Sequence, residues 1–207
     1  MKRTFDISVA SLALVLAAPL LAAAGIVIRL NSRGCAIFSQ TRVGQEGREF
    51  ICYKLRTMQE GTAQGGTHEI SAASVTSVGP FLRASKLDEL PQLWNVVKGE
   101  MSLVGPRPCL PMQIELIEER EKHGVFSVAP GITGLSQVEG IDMSEPIRLA
   151  QRDADYVRAN GFWLDCKLLF LTLVGKGIGS RIAGFSPGTR RSAPPQTPQD
   201  RRPDKNP

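Results

Sequence analysis

The chain has 207 residues, enough for one ordinary domain with appendages. Its net charge is +5, and five Lys or Arg with two Asp from Arg190 onward carry +3 of it. That leaves a nearly balanced body without interleaved aromatic and basic residues, which argues against a nucleic-acid partner.

Cys35, Cys52, Cys109 and Cys166 are widely spaced and form no CxxC pair. The pattern suggests reduced thiols facing a cytosol rather than a zinc site or a disulfide framework. His68 and His123 have no ligand-like spacing, and no GxxxxGK[ST] loop is present for a nucleotide.

Ile7 to Ile28 carries no charge. As a straight helix this stretch is about 33 Å long, close to the thickness of a bilayer core. Three readings compete: a spanning helix, a cleaved signal peptide with Ala22-Ala23-Ala24 as the cleavage site, and a helix that enters the membrane and returns to the same face. Pro19 lies in the middle, where it removes a backbone hydrogen bond and kinks the helix. Basic residues flank both ends, Lys2 and Arg3 before and Arg29 and Arg33 after, so the positive-inside rule gives no orientation.

Phe38 to Met58 reads as two short strands around a turn at Gly44-Gln45-Glu46-Gly47. Lys54 and Arg56, two residues apart, would share one face of a strand, where they would meet a diphosphate or face water. Gln59 to Ser77 is rich in Gly, Ala, Ser and Thr and reads as a loop, a lid being one use for it.

Arg83 to Pro108 concentrates the chemistry: RASKLDELPQLWNVVKGEMSLVGPRP. Asp88 and Glu89 stand between Arg83 and Arg107. The spacing predicts the two carboxylates at a helix start, with Ser85 or Asp88 itself as the cap. Leu90, Leu93, Val96 and Val97 would form the buried face, and Gly99 would end the helix. Arginine forks match phosphate oxygens, and a carboxylate can attack phosphorus or hold Mg²⁺. Helix capping for the carboxylates and a salt bridge for Arg107 are the bland alternatives. Pro106 and Pro108 present Arg107 stiffly.

Leu110 to His123 reads as an amphipathic helix whose many charges face water. Pro130 to Gly140 reads as a glycine-punctuated loop and strand, and Glu145 to Asn160 as a polar helix. Phe162 to Val174 is too short and too interrupted by Asp165 and Lys167 to span. It either lies in a membrane interface with Trp163 near the headgroups or packs on the core. From Gly184 the tail is rich in Pro, Ser, Arg and Gln, a disorder composition.

Four blocks in order, KRTFD, RVGQEGREFICYKLRTM, KLDELPQLWNVVKGEMSLVGPRP and PGITGLSQVEG, give the chain from Lys2 to about Gly175 a resemblance to the bacterial sugar transferase family, the monotopic phosphoglycosyl transferases. The resemblance implies an α+β, mainly helical fold: a re-entrant membrane helix over residues 1–33, a small cytosolic catalytic domain with a β-hairpin and interfacial helices over 34–183, and a disordered tail over 184–207. It implies a monotopic protein on the cytoplasmic face of a bacterial inner membrane. The expected reaction moves a sugar-1-phosphate from a UDP-sugar to polyprenyl (undecaprenyl) phosphate, releases UMP and starts a lipid-linked surface glycan.

In that family the residue matching Asp88 attacks the phosphorus, and the one matching Glu89 helps hold Mg²⁺. Arg83 and Arg107 match phosphate-contacting arginines, Lys54 and Arg56 are added as phosphate-binding candidates, and Pro19 marks the break of the re-entrant helix. The chain departs from the family at Ala18, where Ser is common, and at Ser127-Val128-Ala129, where many relatives are basic. Hexoses, N-acetylhexosamines and deoxy-amino sugars are all family donors, and an amino sugar is the expectation here. The rival readings are a catalytically inactive membrane-tethered scaffold and a secreted domain. Oligomeric state stays open, a homodimer included.

Overall fold

A computed structural model describes residues 1–62 and 74–175. The loop reading of Gln59 to Ser77 falls largely outside these residues, and the tail lies wholly outside them. The fold is mixed and mainly helical, and among the described residues it carries two small two-stranded sheets.

Helix α1 spans Lys2–Asn31. Its most apolar stretch is almost wholly unburied, so α1 is long and apolar enough to cross a membrane, although a few of its residues enter the core. The helix continues through Pro19 to Asn31, so the proline does not interrupt it. Leu12, Val15, Leu16, Ile26 and Leu30 are all more than 60% exposed, a continuous apolar face turned away from the domain.

Both ends of α1 are tied to the same folded unit. At the start, Lys2 Nζ bonds to Asp165 and to the carbonyl of Val104, Arg3 to the carbonyls of Val97 and Met101, and Asp6 Oδ2 accepts from Ser102 Oγ at 2.7 Å. Phe5, Ala10 and Leu14 join the main core. At the other end Ile28 is fully buried against Leu55 and Leu82.

Strands β1 (Ile37–Val43) and β2 (Glu49–Leu55) form the expected antiparallel hairpin, in register from Ile37 opposite Leu55 to Val43 opposite Glu49. A single 3-10 turn at Gln45–Gly47 closes it. Phe50 and Cys52 point inward while Glu49 and Ile51 point out, the period-two alternation of a half-buried strand.

Short helices α2 (Gly79–Ala84) and α3 (Gln92–Lys98) follow. α3 packs Leu93 and Val96 into the core, and Gly99 ends it at φ +99°. Asn95 is fully buried. Its side chain donates to Ile51 O at 2.6 Å and accepts from Tyr53 N at 3.2 Å, pairing α3 with β2.

Strands β3 (Ser102–Val104) and β4 (Gly131–Thr133) form a parallel pair that the sequence did not announce. Glycine makes it possible, since a Cβ on Gly131 would meet Gly105 N at 2.1 Å.

Helices α4 (Ile114–Lys122), α5 (Leu135–Glu139), α6 (Pro146–Ala159) and α7 (Phe162–Leu173) complete the domain. On α7, Asp165 and Leu168 are buried while Trp163 is 83% exposed. One side of that helix therefore packs on the core, and the other turns aromatic rings outward.

Candidate active site

The two carboxylates do not sit where helix capping would put them. Ser85 closes α2 instead, its Oγ donating to Phe81 O at 2.8 Å. Lys86 then adopts a left-handed φ of +57°, an uncommon conformation for a residue with a side chain. The chain reverses there, and Leu87–Glu89 forms a one-turn 3-10 helix. α3 begins only after Pro91, which lacks the N–H that a longer helix would use. Both caps expected from sequence are thus corrected. The dyad lies in a tight turn between two helices.

Asp88 is 4% exposed, and among the described residues its carboxylate accepts no hydrogen bond. Burial, then the neighbouring Glu89 charge, pushes its pKa up to about 6, against the pull of Lys54, Arg83 and Arg107. Glu89 is the opposite case. Burial alone would raise it, but Arg107 and then Lys54 hold its carboxyl down at about 2. Glu89 Oε1 accepts from Arg107 Nη2 at 3.0 Å and from Lys54 Nζ at 3.4 Å. Burial, aided by Arg107, lowers the Lys54 ammonium from its ordinary value, with Glu89 opposing.

Arg83 is buried, and its Nε donates to Thr57 Oγ1 at 2.8 Å. Its Nη1 is buried with no partner among the described residues, a donor left available to an anion. Lys54, Arg83, Asp88, Glu89 and Arg107 therefore share one site. Arg56 is directed elsewhere: its Nη2 donates to Ser32 O at 2.8 Å and Ser32 Oγ at 2.7 Å, clasping the end of α1. It lies one residue beyond β2, so the common strand face expected for Lys54 and Arg56 is not formed.

Arg107 is held by its own backbone. Four consecutive carbonyls are taken by ordered donors: Pro106 O by Gly131 N at 2.9 Å, Arg107 O by Arg120 Nη1 at 2.8 Å, Pro108 O by Arg42 Nη1 at 3.1 Å and Cys109 O by Val43 N at 2.9 Å. Arg120 is 1% exposed and also pairs with Asp153 Oδ2 at 2.6 Å, whose Oδ1 accepts from Ser136 Oγ at 2.5 Å. Sequence reading put the α4 charges in water and missed Arg120, along with Arg42 and Thr57. The available signal was its position four residues after the buried Leu116, on the same helix face.

The description "Bacterial sugar transferase" matches residues 1–176. The chain belongs to this family. It is 40% identical over 181 residues to a UDP-glucose:undecaprenyl-phosphate glucose-1-phosphate transferase of Caulobacter vibrioides, covering 83% of this chain and 68% of that one. It is 38% identical over 185 residues to an undecaprenyl-phosphate glucose phosphotransferase of Komagataeibacter xylinus, covering 83% of this chain and 35% of the relative. An N-acetylgalactosamine phosphotransferase of Aeromonas hydrophila is 35% identical over 87% of this chain and 45% of its own length. The chain thus spans from about a third to two thirds of these relatives.

Proposed function

We propose that the protein transfers a sugar-1-phosphate from a UDP-sugar to polyprenyl phosphate through a covalent aspartyl intermediate. The observation that carries this is Asp88: buried, without a hydrogen bond among the described residues, beside an ionised Glu89 and within the field of three cations. A carboxylate kept free of hydrogen bonds keeps its lone pairs for attack.

An Asp88 oxygen would bond to the sugar-proximal phosphorus as the diphosphate bridge breaks, and UMP leaves with the bridging oxygen. The acceptor's phosphate oxygen would then attack the same phosphorus and release Asp88 as a carboxylate. Arg83 Nη1 and Arg107 would neutralise charge gathering on the phosphoryl oxygens. No group of three or more candidate metal ligands occurs among the described residues, so Mg²⁺ would be held sparsely, as is usual for it, by Glu89 and the substrate's own phosphates. When bound, the ion would screen repulsion between the carboxylates and the diphosphate.

The contacts at both ends of α1 support membrane attachment on one face, without crossing. A span would send its ends to opposite sides, whereas Lys2 is tied to Asp165 and Ser32 to Arg56 of one domain. The core residues that α1 supplies also favour its retention over cleavage. The cytoplasmic face of the inner membrane is the side where nucleotide sugars are met. Most relatives named by donor use glucose, which supports UDP-glucose over the amino sugar expected from sequence.

The test is a panel of UDP-sugars with undecaprenyl phosphate and Mg²⁺, scored for UMP, together with intact-protein mass spectrometry after donor alone. Phosphosugar addition on wild type and its loss in Asp88→Asn are expected. Full turnover in Asp88→Asn would remove the proposal.

A further inference from the structure

A cleft of about 440 Å³ opens beside the site, with Glu89 and Arg107 in its wall. Most of the rest is apolar: Leu90 and Leu93 from the turn and α3, Ile132 of β4 and Leu173 of α7. Lys86, half-buried in the left-handed conformation, also lines it, and no carboxylate pairs with its ammonium among the described residues. Apolar side chains continue outward on both flanks, Phe81 one turn from Ala84 on α2 and Phe170 one turn from Leu173 on α7, 68% and 63% exposed. Leu173 itself is 85% exposed and forms the rim.

We infer that this cleft binds the acceptor, an isoprenoid phosphate monoester. The phosphate would meet Lys86 and Arg107, and the first isoprene units would lie along Leu90, Ile132 and Leu173. The inference rests on the proposed transfer reaction and adds where its lipid substrate enters.

Two features favour a lipid phosphate over the nucleotide donor. Among the described residues the lining holds no aromatic ring on which a uracil would stack. The apolar wall also runs from the charged groups to an exposed apolar rim, the polarity gradient of an amphiphile whose tail stays in the bilayer. The larger cleft, about 690 Å³ between the hairpin turn and α4, is lined by Glu46, Glu49 and Glu121 and would repel a phosphate.

The test separates the half-reactions. Exchange of labelled UMP into UDP-sugar needs no acceptor and reports the covalent step alone. Complete transfer is then measured with undecaprenyl phosphate and with the short farnesyl phosphate, in wild type, Leu173→Glu and Lys86→Gln. Both substitutions are at exposed or half-buried positions, so folding is retained. For Leu173→Glu we expect the KM for undecaprenyl phosphate to rise about tenfold or more and the preference over farnesyl phosphate to shrink. For Lys86→Gln the KM should rise for both acceptors, and UMP exchange should continue in both variants. Unchanged acceptor KM and chain-length preference would overturn the cleft assignment. Equal loss of exchange in both variants would place the nucleotide there instead and overturn it too. No exchange in wild type would instead defeat the covalent mechanism beneath it.

Discussion

Asp88 is costly to the fold. Its pKa in the folded protein is about 6, against an ordinary 3.8. The folded state therefore binds the proton more tightly, and stability contributed by this group falls as pH rises from about 4 to about 6. Above that range the whole penalty is present, up to about 3 kcal/mol at about 1.36 kcal/mol per pH unit. Asp88→Asn should accordingly unfold at higher denaturant concentration than wild type at pH 7.5, with the difference vanishing near pH 3.5. The same substitution should abolish the phosphosugar adduct. Gain of stability with loss of chemistry is the signature of a strained functional group. On the proposed mechanism wild-type turnover should rise with pH through about 6, because only an ionised carboxylate could attack; a rate flat between pH 5 and 8 would contradict this.

Among elements, the segment Pro106–Cys109 bears most on the site. Arg120→Met removes the donor to Arg107 O and strands the buried Asp153, and we expect a loss of about 3–5 kcal/mol. A double variant, Arg120→Met with Asp153→Leu, should recover much of that stability. Its kcat should nevertheless stay low, since the carbonyl remains unheld and the Arg107 side chain swings more freely. Recovery of kcat together with stability would mean that the clamp does not position Arg107.

The hairpin, α6, α7 and the Gly99 stop were legible because each rests on local signals: alternation, helical period and a left-handed glycine. The β3–β4 pair was not legible. It joins two three-residue strands far apart in sequence, and the close approach of Gly105 and Gly131 exists only once the chain has folded. The dyad's residues were legible but its local geometry was not, because Lys86 takes a backbone conformation that its residue type disfavours. Arg56 looked equivalent to Lys54 by spacing, and the end of β2 separates them.

For the whole molecule, the arrangement of α1 predicts topology. A label on Met1 and a thiol label on Cys35, both exposed in the structure, should be accessible from the same side of sealed vesicles. Access from opposite sides would require a span and would break the contacts at one end of the helix.

Helix α1 is also not a detachable module. Phe5, Ala10 and Ile28 complete the interior of the domain from two directions. Deleting residues 1–33 to obtain a water-soluble enzyme should therefore yield an aggregating or partly unfolded product. Exchanging them for an unrelated hydrophobic segment should do the same, even if the replacement inserts well. The apolar face that would meet lipid and the residues that complete the core share one helix, so on the proposed function no active form would be released from the membrane.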